Sequence, residues 1–296
     1  MRHVYKLIYI MLPLLLTSCI KEGFDKENCP GEYIIVPLTP DSNSDKKTEL
    51  ESSITVLIDG RGNEYHVDAG SEKPVDLEDG TYTVVTVKDS DNGSTTVNGT
   101  TISVNTHPDD GTAVDAGTPI GGYTEITVDN ANGQGSTTFE VPTKNQSRLL
   151  TVKLNFEGGN AAFIQSIAGI VDGIALSRDL NNGFAPTDGQ DCHAALTAGS
   201  ISYAFAGQED AENSYSATRI LLGIDGDGNQ TLTFIVTYKG GTKKTYTFDI
   251  TRKMDGFHTV DVTEPWVIEI TLQLGADFEA TIEDWKAGPE SWMDAH

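Results

Sequence analysis

The residue types most able to do chemistry in this chain fall in a few short clusters. Asp225, Asp227 and Asn229 alternate with glycine, the one-three-five spacing with which an EF-hand loop offers oxygens to calcium. The pattern then fails: the sixth position is Gln230 where a glycine makes the sharp turn, and the twelfth is Val236 where a glutamate closes the shell. A β-hairpin turn explains the run better. His107 with Asp109 and Asp110, and Asp191 with Cys192 and His193, bring together types suited to nucleophilic or metal chemistry. Both lie in Gly-, Asp- and Thr-rich stretches and read as solvated loops. Glu78–Asp79 and Glu283–Asp284 are adjacent, so on a strand the two carboxylates point to opposite faces and cannot work as an acid/base pair. Nucleophile elbow, phosphate loop, HExxH helix and metal-type Cys/His spacing are all missing from the sequence. The chain reads as non-enzymatic, with no metal and no cofactor.

A different chemistry is written at the N-terminus. Arg2 and Lys6 precede an apolar run over residues 7–16, broken only by Tyr9 and Pro13. A ~30 Å hydrocarbon core needs about twenty apolar residues, so this run fits the core of an export signal and not a membrane span. Leu16, Thr17, Ser18 and Cys19 follow, an aliphatic residue, two small ones and a cysteine, which resembles the bacterial lipobox. Residues 1–18 are therefore expected to be removed, Cys19 to be acylated, and residues 19–31 to serve as a tether. Each buried methylene contributes ~0.8 kcal/mol, and one chain binds only marginally. The three chains implied by the lipobox would hold the protein on a membrane almost permanently. No other stretch could cross a bilayer.

Charge narrows the partners. Twenty basic and 44 acidic residues give −24; losing Arg2 and Lys6 leaves 18 against 44, or −26. A field of that sign repels nucleic acid and anionic headgroups. Removing 18 residues from 296 leaves 278, enough for two domains of ordinary size. Cys29 and Cys192 remain in an oxidising compartment, either as a disulfide or as two unpaired small residues.

The elements are predicted to be strands. Thr, Val, Ile, Tyr and Gly dominate, and apolar residues alternate at Leu150, Val152, Leu154 and Phe156; at Leu232, Phe234, Val236 and Tyr238; and at Tyr246, Phe248 and Ile250. Trp266, Ile268, Ile270, Leu272 and Leu274 give the longest alternation, and Phe278, Ala280 and Ile282 repeat it. Residues 89–93, 225–229 and 239–242 carry turn chemistry. Phe163, Ile164, Ile167, Ile170 and Val171 are spaced as in a short amphipathic helix, and polar residues 39–49 as in a loop. Residues 54–63 and 220–229 echo each other, an apolar strand running into Ile-Asp-Gly-x-Gly-Asn. The polar stretch 142–148 marks a boundary, giving β-sandwiches over 32–147 and 148–296.

Several of these blocks, in order, resemble the fimbrial anchor and accessory subunits of Bacteroidales. They are the lipobox, Cys29-Pro30 with a strand at 33–36, the 54–63 hairpin, the turn and strand at 75–84, the segments 149–158 and 167–175, and the closing 278–285. The Thr/Asp/Gly-rich stretch 89–135 departs from the family pattern. The resemblance implies an all-β fold of two tandem transthyretin-like sandwiches, surface-exposed lipidation at the outer membrane, and assembly with other fimbrial subunits by strand exchange. In strand exchange, main-chain hydrogen bonds give affinity and alternating side chains give specificity. Residues proposed for that interface are Trp266, Ile268, Ile270, Leu272, Leu274, Phe278 and Ile282, which also fit core strands of a self-complete sandwich. Arg61 and Arg148 stand at candidate exposed cleavage points, though each reads better as an ordinary loop arginine. A surface glycan-binding lipoprotein is the alternative; it needs exposed aromatic platforms, and of the tryptophans only Trp292 looks free.

Overall fold

A computed structural model describes residues 31–40, 47–70, 72–130, 137–158, 160–180, 195–207, 213–226, 228–258 and 263–290. The signal segment, Cys19, Cys29, Asp191, Cys192, His193, Asp227 and Trp292 lie outside the described residues. The architecture is all-β; among the described residues between the strands, helical turns are short 3-10 pieces such as Ala161–Phe163 and Thr251–Lys253. None of the described helices is long and apolar enough to cross a membrane.

Three sheets carry the fold among the described residues. In the first, β1 (Gly31–Pro40) is central. It runs parallel to β10 (Thr137–Pro142) on one edge, and antiparallel to β2 (Lys47–Glu49) and β5 (Pro74–Leu77) on the other. The second comprises β3 (Ile54–Asp59), β4 (Glu64–Val67), β6 (Gly80–Lys88), β9 (Ile120–Val128) and β11 (Lys144–Asn145), in the order β11-β9-β6-β3-β4. Tyr33 and Ile35 of the first sheet meet Leu57, Val84 and Ile126 of the second in one core. Closure on the β9/β10 side needs a residue without Cβ. A Cβ on Gly122 would lie 2.0 Å from the Pro142 carbonyl oxygen.

The third sheet has ten strands. Its order is β17 (Lys243–Asp249), β16 (Thr231–Tyr238), β13 (Ile164–Asp179), β14 (Ala195–Gly207), β15 (Ser214–Leu221), β12 (Arg148–Glu157), β18 (Trp266–Leu274), β19 (Ala280–Pro289). The hairpin β7 (Thr95–Asn98) and β8 (Thr101–Val104) joins it through β13, so part of the apolar-poor stretch 89–135 is built into this sheet. The larger core gathers Leu150, Val152 and Leu154 from β12, Phe234 and Val236 from β16, and Ile268, Ile270 and Leu272 from β18. Those are the alternating positions of the sequence, buried on one face as period two requires, while the other face is mostly polar, with exceptions such as Ile235 and Val267. Val56, Val85 and Ile102 belong to the same cluster, so β3 and β6 bury side chains on both faces.

Other expectations fail for physical reasons. The stretch 163–171 is not a helix: beyond Phe163 it opens β13, paired with β14 on one edge and β16 on the other. A register shift between Ile164 and Ser166 inserts one extra residue, so buried Ile164 and Ile167 share a face three positions apart. A second shift around Gly173 does the same for Val171 and Ile174. Bulges turn a two-residue period into a counterfeit helical one. Gly173 has φ +78, and a Cβ there would lie 2.5 Å from the Asn229 carbonyl oxygen.

The run 225–229 is not a hairpin turn. It links β15 to β16, which are separated in the sheet by β13 and β14, so it is a crossover loop. Its echo at 59–63 does make a hairpin, between β3 and β4. In the polar stretch 39–49, the loop expectation fails at both ends, because Thr39 and Pro40 finish β1 and pair with Thr48 and Lys47 of β2. An edge strand this short needs backbone partners but little apolar surface.

Candidate assembly surface

The strand with the strongest sequence signal is enclosed. β18 pairs in parallel with β12 from Leu150↔Trp266 to Glu157↔Gln273, and antiparallel with β19 on its other edge. Trp266, Ile268, Ile270, Leu272 and Leu274 are all buried, so the structure brings these candidate residues together as core. An incoming strand could reach the β18 backbone only by displacing β12 or β19.

β19 is the exposed member of the pair. A register shift between Thr271 and Leu272 leaves Glu283 as an extra residue in β19. Ile282 precedes that shift and pairs with buried Leu272, and on this end strand it is 42% exposed. Phe278 lies in the turn before β19, at φ +64, unusual for a bulky side chain. Its ring packs 4.3 Å from that of Tyr238, and its carbonyl accepts a 2.5 Å hydrogen bond from the Tyr246 hydroxyl.

These contacts belong to a seam between β17 and β19, the two end strands of the third sheet. The strands do not pair with each other, and side chains bridge the gap. Lys244 Nζ meets Glu279 Oε1 at 2.5 Å, and that hydrogen bond raises the lysine pKa. Phe248 meets Trp285 edge-on at 5.9 Å, and Lys253 Nζ sits 5.3 Å over the Trp285 ring while donating to its carbonyl at 3.2 Å. Burial, reinforced by the hydroxyl of Tyr238, raises the Tyr246 pKa. The place of β17 at the end of the sheet is not announced by its alternation; the Lys243-Lys244 pair on an otherwise acidic chain is the one unusual feature of its sequence.

Arg148 is not an exposed cleavage point. It opens β12 with 3% of its surface exposed. Its Nε donates to the Glu264 carbonyl at 2.8 Å and its Nη1 to the Phe257 carbonyl at 2.6 Å. Arg61, by contrast, sits exposed in the β3–β4 turn, where Asp59 accepts from the Arg61 and Asn63 amides and the Asn63 side chain. Those bonds, the Asn63 side chain foremost, lower the Asp59 pKa to about 2.

Two further clusters fall among the described residues and bond within their own loops. Buried Gln230 fills the centre of the 225–230 loop, its Nε2 donating to the carbonyls of Asp225 at 2.6 Å and Gly228 at 3.0 Å. His107, Asp109 and Asp110 are exposed, and Asp110 caps Thr112 within its own turn. Among the described residues no group of three His, Cys, Asp or Glu is placed to hold a metal ion.

Comparison with known proteins agrees with this all-β architecture. The fimbrial anchor protein Mfa2 from Porphyromonas gingivalis superposes with a TM-score of 0.56 at 11% identity, covering 88% of this chain and 98% of that one. Two candidate adhesins from Bacteroides ovatus give TM-scores of 0.53 and 0.51 at 11% and 12% identity. They cover 85% and 93% of this chain, and 91% and 96% of their own. No curated protein matches the chain. The model of one family matches residues 41–287. The chain belongs to the family of fimbrillin-A associated anchor proteins Mfa1 and Mfa2.

Proposed function

We propose that this protein is a non-enzymatic fimbrial subunit, an anchor or accessory piece, held at the outer membrane by acyl chains on Cys19. The family match across residues 41–287 carries the reading, and the lipobox at 16–19 supports the anchor. In this reading a tether over 19–31 leads into sandwiches spanning 32–147 and 148–296. Neighbouring fimbrial subunits join it by strand exchange. Among the described residues β17 and β19 each have one edge without a strand partner, which supports assembly along the seam and not at the enclosed β18. Ile282, exposed on β19, is the apolar side chain best placed to meet a partner. Among the described residues the exposed aromatics Tyr65, Tyr123 and Phe163 stand on three different elements, β4, β9 and a 3-10 turn, which supports the fimbrial reading over the glycan-binding alternative; Trp292 lies outside them.

A photo-crosslinking residue at Ile282, in cells making fibres, tests the seam. The expected product joins this chain to another fimbrial subunit. Crosslinks to no partner, with fibres intact, would remove β19 from the interface.

A further inference from the structure

We propose that β1 is a mechanical clamp, arranged so that tension between the membrane tether and the distal sandwich loads it in shear. The biological setting rests on the tether reading above; the geometry does not. Every residue of β1 from Gly31 to Pro40 pairs on at least one edge, through Tyr33 to Leu38 with β10, Gly31 to Ile34 with β5, and Leu38 to Pro40 with β2.

The direction of β10 decides how force passes. It runs parallel to β1, with Leu38 opposite Pro142, and the Thr143 amide donates to the Leu38 carbonyl at 2.9 Å. From Pro142 the chain passes through β11 to Arg148 and directly into β12 of the third sheet. The N-terminal end of β1 is thus the end remote from that sheet. A pull entering at Gly31 and leaving along β12 draws two parallel neighbours in opposite senses along their length. Their hydrogen bonds must then fail together, whereas a pull across the strands breaks them one at a time.

Side chains fix β1 against sliding. Ile35 is fully buried, the Tyr33 ring stacks on Phe139 at 5.5 Å, and its hydroxyl donates to Asn130 Oδ1 at 2.7 Å. The Gly70 amide and the Leu50 amide add bonds to the Ile35 and Pro37 carbonyls.

Single-molecule force spectroscopy on residues 19–296 carrying Cys19→Ser tests the clamp. One handle is the N-terminus, and the second is a peptide tag inserted either at Gly240–Gly241 or at Gly62. Both turns are open, since a Cβ at any of these glycines meets nothing within 4 Å. Gly240 lies in the β16–β17 turn, beside the far end of β13. Gly62 follows Asp59, whose partner Tyr82 lies just past the β5–β6 turn that begins after Leu77, the partner of Gly31, so a pull there enters at the end where β1 begins and peels it. Reductant keeps Cys29 and Cys192 from joining and carrying the force past β1. A several-fold higher rupture force through Gly240 than through Gly62, lowered by Phe139→Ala, is expected. Equal forces in the two directions, or a force insensitive to Phe139→Ala, would overturn the clamp. Acylation at Cys19 is read separately by mass, so failure of the clamp and failure of the tether are distinct results.

Discussion

The guanidinium of Arg148 lies 4.9 Å above the indole of Trp266, joining the first residue of β12 to the first residue of its parallel neighbour β18. Phe257 stacks on the same group at 5.4 Å, and Trp266 Nε1 donates to the Lys253 carbonyl at 3.0 Å. One buried cation thereby fixes where β12, β18 and the 251–258 segment meet. Arg148→Ala leaves one buried and one half-buried carbonyl without these donors and a cavity between two rings, an expected loss of about 3 kcal/mol. Arg148→Lys recovers only part of it, because an ammonium cannot span both carbonyls and stack as a plane. Urea unfolding of the two variants checks the order.

Ile270 and Ile282 separate core from surface on adjacent strands. Ile270→Asp buries a charge among the side chains of β12 and β16, and soluble folded protein is expected to be lost. Ile282→Asp is expected to change stability by less than about 0.5 kcal/mol. Expression yield and urea midpoints read both. A large loss at Ile282 would show that β19 is packed more tightly than its exposure indicates.

Gln230 stands in the loop whose spacing imitates a calcium site. Gln230→Ala removes the amide that gathers the Asp225 and Gly228 carbonyls, an expected cost of about 1–3 kcal/mol. Millimolar calcium is expected to leave the Tm of the unmodified protein where it is. A calcium-dependent rise would reveal binding, since a ligand of the folded state alone must stabilise it.

Asp59 gives the β3–β4 hairpin a pH dependence of definite sign. Its folded pKa is lowered to about 2, so its contribution is complete above the usual carboxylate range near 4 and is lost as pH falls through about 2. NMR titration of the Asp59 carboxyl, with the Asn63 amide as reporter, is expected to show a midpoint well below 3.8. A midpoint at the ordinary value would mean the turn bonds do not persist in solution.

Gly122→Ala is expected to cost about 1–3 kcal/mol or more, because the new methyl meets backbone of the next strand, which cannot rotate away. Thermal unfolding measures it.

Sequence and fold agree where one face of a strand is buried along its whole length, as at Leu150 to Phe156 and Trp266 to Leu274. They part where the ladder changes register. In β13 two bulges give buried residues a spacing of three, and in β19 Ile282 pairs with buried Leu272 yet is exposed because that strand ends the sheet. No property of the side chains themselves announces those bulges; they depend on pairing with strands distant in the chain. The edge at β17 was hidden for the same reason, since its neighbours are set by topology. Arg148 looked like a loop residue because the aromatics that enclose it, Phe257 and Trp266, are more than a hundred positions away.

The most direct test of the lipid-anchored fimbrial reading is intact mass and N-terminal analysis of the protein from its native membrane, alongside sheared fibres. The expected species begins at an acylated Cys19 and co-purifies with a fibre. A lipidated monomer with no fibre would contradict the fimbrial role. A fibre-bound form free of lipid, beginning after an internal Arg or Lys, would contradict the anchor.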